Sequence, residues 1–75
     1  MSAPDTFALM MDAKQRMEDA DRAFSAALQA RYGSKAGDVR YNNARQTSEV
    51  LALGMAYRAA AAAWMRASEE HRARA

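Results

Sequence analysis

Apolar residues recur at alternating spacings of three and four along two long stretches of this chain. In the first, Met10, Met17 and Phe24 form one seven-residue row, and Thr6, Ala13, Ala20 and Ala27 form another. In the second, Val50, Tyr57, Trp64 and His71 form one row, and Gln46, Leu53, Ala60 and Ala67 the other. Rows offset in this way share one side of an α-helix and make the a/d seam of a coiled coil. Between Asp5 and Tyr32 there is no glycine or proline and there are few β-branched residues, so nothing interrupts a helix. The pattern predicts a first helix over about residues 3–32, starting at Ser2-x-x-Asp5 with Pro4 in the first turn. Gly33 stops it, because glycine accepts the left-handed conformation just past a helix. A second helix is predicted over about residues 43–72. Asn43 with Gln46 is a candidate capping pair, and Thr47 and Ser48 are competing caps. Residues 33–42, with two glycines and Asp38, read as the turn between the helices.

A short turn makes the two helices antiparallel neighbours. If it centres near Asp38, facing residues have numbers that add to about 77. Met17 then meets Ala60, Ala13 meets Trp64, Ala20 meets Tyr57, Met10 meets Ala67 and Phe24 meets Leu53. Large faces small at most layers, which lets the layers interdigitate. Trp64 is expected to be a main packing residue. Gly54, isolated inside the second helix, costs about 1 kcal/mol against alanine there. Either it is simply tolerated or the facing helix approaches closely at that point.

A hairpin has one contact face. A second apolar stripe, Leu51, Met55, Ala62 and Met65 on the second helix with Phe7, Met11 and Leu28 on the first, is expected to flank the seam. Exposed in a monomer, it would be a sizeable apolar patch. The expected architecture is therefore all-α: an antiparallel, coiled-coil-like two-helix hairpin, a single domain over residues 1–75, dimerising into a two-fold four-helix bundle. Leu51, Met55, Ala62 and Met65 are the expected dimer interface. The alternative is that the stripe only widens the intramolecular seam.

Composition narrows the function classes. Seventy-five residues make a marginal core, and scaffolds of that size usually need disulfides, a metal or a partner chain. With no cysteine and one histidine, disulfides are excluded and an all-protein zinc site is disfavoured, which leaves association. No cofactor is expected. No segment reads as a signal peptide or a membrane span, and a cytoplasmic location is expected. The net charge of +2 neither demands nor excludes a nucleic-acid partner.

Candidate chemistry is sparse. Asp12, Glu18, Asp19 and Asp21 alternate with Lys14, Arg16 and Arg22, which reads as a solvated, salt-bridged face and not as a carboxylate metal site. His71, near a helix end and followed by Arg72 and Arg74, suits the helix dipole. No nucleophile, phosphate loop or acid–base pair is in register, so the chain is not expected to be an enzyme. The turn is the candidate binding surface. Arg31, Lys35, Arg40 and Arg45 gather there with Tyr32 and Tyr41. Arginine and tyrosine are hot-spot residues in protein interfaces, and basic residues among aromatics also bind phosphates and bases. Tyr32, Arg40, Tyr41 and Arg45 are the expected partner-binding residues, with a soluble charged turn as the plain alternative.

The segments A-D-R-A-F-S-A-A-L-Q-A-R-Y-G, G-D-V-R-Y and A-Y-R-A-A-A-A-A-W, spanning Ala20 to Trp64, resemble small helical-hairpin proteins encoded by phages and prophages of GC-rich bacteria. That resemblance implies an inhibitor that binds a host regulatory protein in the host cytoplasm, of the anti-activator or anti-defence type. It transfers no residue roles. The expected function is thus a non-catalytic protein–protein interaction module that forms homodimers and binds a host protein. The alternatives are a small nucleic-acid-binding or accessory protein using the basic tip, and a structural component of a larger assembly.

Overall fold

A computed structural model describes residues 5–74. Two long helices, α1 (Thr6–Tyr32) and α3 (Ser48–Arg74), flank a connection that contains one short helix, α2 (Ala36–Arg40). Single 3₁₀ turns at Gly33–Lys35 and Asn43–Arg45 bracket α2. The described residues contain no strand, and the molecule measures 49 × 18 × 17 Å.

Local chemistry sets the boundaries. Asp5 caps α1, its carboxylate accepting the Ala8 N–H at 3.0 Å, so this acid is the cap itself. Ser2 and Pro4, read above as the helix start, lie outside the described residues. Gly33 ends α1 with φ +56° and donates its N–H to the Gln29 carbonyl; its ψ of −124° lies outside the left-handed helical conformation expected, but the positive φ still favours glycine.

The second long helix starts at Ser48 and not near Asn43. Asn43–Arg45 manage one 3₁₀ turn, and Gln46 is then extended, which breaks the helix. Thr47 is the working cap, its hydroxyl accepting the Val50 N–H at 3.3 Å. Gln46 serves α2 instead. Its amide donates to the Val39 and Arg40 carbonyls at 2.9 and 3.2 Å, at the helix end where carbonyls lack further turns of helix to bond; the Val39 carbonyl also accepts the Asn42 N–H at 3.0 Å.

The long helices touch in opposing order along the chain. Thr6 Oγ1 lies 2.9 Å from His71 Nδ1 at one end, Phe24 packs on Tyr57 in the middle, and Tyr32 bonds Thr47 at the other end. Every member of the four heptad rows is buried or half-buried. Thr6 and His71 keep the expected register. Phe24 departs from it: its ring lies against Gly54 and stacks on Tyr57, while Leu53 packs on the same cluster. The facing side chain does come close to the backbone at this glycine.

Burial is uneven along the molecule. Phe24, Leu28, Val39 and Val50 form the buried core, each contributing about 2 kcal/mol over leaving it exposed. All four, and the buried Gly54, lie at the end where α2 makes a third layer. None of residues 6–23 or 55–74 is fully buried, because two helices alone cover a seam side chain from only one direction. Two expectations change as a result. Leu28 needs no second molecule, since it is buried in one cluster with Val39 of α2. Trp64 is half-buried and lies outside the core.

Candidate functional site

The connection end gathers the residues expected to bind a partner, but it divides them. Tyr32 faces inward. Its hydroxyl donates to the Arg45 carbonyl at 3.1 Å and accepts the Thr47 N–H at 2.9 Å, tying the end of α1 to the start of α3. Arg40 turns back onto α1, its side chain only 22% exposed. One guanidinium nitrogen bonds Asp21 at 2.7 Å and another bonds the Ser25 hydroxyl at 2.9 Å. The guanidinium plane also lies over the rings of Phe24 and Tyr57, at 4.7 and 5.4 Å. The Asp21 hydrogen bond raises the guanidinium above its ordinary value against the opposing effect of burial. Arg40 therefore acts as a clamp that fastens α2 to α1. Nothing in the local sequence around Arg40 signals this. The legible hint is on the other partner, where Asp21 and Ser25 sit four apart and so share a helix face.

Tyr41 and Arg45 face solvent, Tyr41 at 86% exposure. Arg31 and Lys35 are also exposed, with Asp38 an acid among them. The outward chemistry of this end is thus one exposed tyrosine ring, three exposed cations and two exposed acids, Asp38 and Glu49, with Arg31 and Glu49 lining one groove.

The four residues expected to form a dimer interface share one side of α3, within an arc of about 80°. At about 100° per residue, Met55 and Ala62 stand nearly opposite the Leu53–Trp64 seam, whereas Met65 stands beside it. Met55 and Met65 are 59% and 58% exposed; Ala62 is exposed and Leu51 half-buried. The stripe expected to flank the seam therefore runs from the side of α3, at Met65, round to its back, at Leu51, Ala62 and Met55.

A shallow groove of about 300 Å³ opens between α1 and α3 at the end away from α2, lined by Met10, Trp64, Met65, Ser68, Glu69 and Arg72. The Ser68 hydroxyl oxygen there is buried and has no hydrogen-bond partner among the described residues. At the same end the Phe7 ring tilts against His71 at 5.7 Å. His71 is thus a packing and hydrogen-bonding residue that closes this end of the pair.

The acids of α1 form ion pairs within the helix and with α2. Asp12 pairs with Arg16 at 3.0 Å, Glu18 with Lys14 at 3.9 Å, Asp19 with Arg22, and Asp21 with Arg40. Among the described residues no cluster of three His, Cys, Asp or Glu is placed to hold a metal. No helix there is long and apolar enough to cross a membrane. In comparisons with protein-family models, curated proteins and solved structures, the chain matches none.

Proposed function

We propose that this chain is a non-catalytic helical-hairpin module that works by binding proteins: a second copy of itself, in a four-helix arrangement, and a host regulatory protein of the kind the phage-protein resemblance implies. One observation carries the reading. The core holds four apolar residues, while Phe7, Leu9, Met11, Met55 and Met65 are all large, apolar and at least 42% exposed. Of these, Phe7, Met11 and Met65 lie on one side of the molecule, and a soluble monomer avoids contiguous exposed apolar surface beside so small a core.

The surface left for a heterologous partner is the connection end. Arg40 and Tyr32 hold that end in shape, and Tyr41 and Arg45 present an aromatic ring and a cation on it, the residue types that anchor protein interfaces. Phosphate binding by the same tip is the weaker reading, because Arg40 is neutralised by Asp21 and the remaining cations are too few for a strong electrostatic footprint.

Light scattering after gel filtration at micromolar concentration tests self-association. The expected mass is twice the 8.3 kDa of one chain, and a monomer throughout would reject it. The tip is tested by the paired changes Tyr41→Ala and Arg45→Ala. They should release a host protein retained by the wild-type chain and leave the thermal melt unchanged. Retention undiminished by both changes would clear the tip of this role.

A further inference from the structure

One face of the molecule is half covered. On α1 the row Phe7, Met11, Lys14, Glu18, Asp21, Ser25 and Leu28 runs at alternating spacings of four and three, so it stays on one side of the helix. The connection covers the last three positions: Arg40 bonds Asp21 and Ser25, and Val39 shares a buried cluster with Leu28. The cover ends there. Phe7 and Met11, at the other end of the same row, are 54% and 42% exposed. On α3 the matching row runs through Gly54, Arg58, Ala61, Met65, Ser68 and Arg72. Its first member receives the Phe24 ring, while Met65, Ser68 and Arg72 line the open groove.

We propose that a second copy of this chain docks on this open half through a two-fold axis. Each open half then covers the other, and the two α2 segments sit at opposite ends. This rests on the self-association proposed above and specifies its surface: the face beside the seam, not the back of α3 where Met55 and Ala62 lie.

Three features favour another copy as the occupant. First, the open half is continuous with the face that α2 covers, and where that third layer is present residues become fully buried. A second copy supplies the missing layer at the open end. Second, the face carries both knobs and a hole. Phe7 and Met11 project from it and the groove of about 300 Å³ lies beside them, as an isologous interface requires. Third, its charges are self-complementary. Glu69 and Arg72 rim the groove and form no ion pair among the described residues, and the Lys14–Glu18 pair stands on the same face. A two-fold axis lets the acid of one copy meet the base of the other, which sets register and orientation.

The test compares three variants by sedimentation equilibrium, with circular dichroism as the check on folding. Met65→Glu and Met11→Glu place a charge on the open face, and Met55→Glu places one on the back of α3. All three positions are exposed, so helix content should hold. The first two should weaken the dimer roughly thirtyfold or more, the cost typical of a central interface position, and Met55→Glu should leave it unchanged. A folded Met65→Glu or Met11→Glu that dimerises like the wild type overturns the proposal, and so does a monomeric Met55→Glu. In both cases self-association itself stands. A wild-type chain that is monomeric throughout removes the self-association reading and this surface with it.

Discussion

The ring of Phe24 rests directly against Gly54. A Cβ built on this glycine would lie 3.0 Å from the ring Cζ and 3.1 Å from Cε1. Phe24 is 2% exposed, with Tyr57 stacked on it at 6.3 Å and Arg40 over its face. The ring therefore has little freedom to retreat from an added methyl.

Gly54→Ala consequently sets two effects against each other. Helix propensity favours alanine by about 1 kcal/mol, while overpacking a confined ring costs about 1–3 kcal/mol. We expect a net loss of about 1 kcal/mol in urea unfolding. In a Phe24→Leu background, where the ring is gone, the same change should become stabilising. Identical effects in the two backgrounds would mean that ring and glycine are not coupled.

Arg40 fastens the connection to α1, so Arg40→Ala should cost about 2 kcal/mol, the range for hydrogen bonds to charged groups with the stacking lost as well. Arg40→Lys should recover only part, because an ammonium lacks the planar fork that reaches both Asp21 and Ser25. The pH dependence follows from the direction of the shift. A group whose folded value is raised contributes in full below its unfolded value and loses that contribution only as pH climbs through the folded one. For a guanidinium both lie in the strongly alkaline range. The difference in unfolding free energy between wild type and Arg40→Ala should therefore be flat on titration through neutral pH, and a slope there attributable to Arg40 would contradict the assignment.

Burial also ranks the aromatic residues. Phe24→Ala empties a site closed on all sides and should cost about 3–5 kcal/mol. Trp64→Ala removes a larger side chain from a half-buried position at the two-helix end and should cost less in the isolated chain. Chemical denaturation at low protein concentration, where self-association contributes least, makes the comparison. A larger loss for Trp64 would place the centre of the fold at the wrong end of the molecule.

Much of the framework is legible in the residues. The four heptad rows and the helix stop at Gly33 can be read from spacing and residue type, because helix periodicity places side chains locally; Gly54 stands out in the sequence, but only the Phe24 ring against it decides between tolerance and close approach. The boundary near Asn43 misleads because Asn43 and Gln46 have the right spacing for a cap. Their actual roles depend on α2, whose C-terminal carbonyls claim the Gln46 amide.

The candidate site was legible in composition but not in arrangement. Tyr32, Arg40, Tyr41 and Arg45 do gather at one end. Which of them face outward depends on partners 13 to 19 residues away, Arg45 for Tyr32 and Asp21 for Arg40, and no local pattern records such pairings. The same holds for Leu28, whose cover arrives from a segment that reads as a turn.

The sequence by itself determined that this chain makes two long amphipathic helices with matching stripes, because those properties follow from neighbours three and four residues apart. Only the tertiary structure decided where the core lies. A connection of about fifteen residues folds onto one half of one face and leaves the other half bare, since covering a surface depends on which segment reaches it in space and not on the order of residues along either helix.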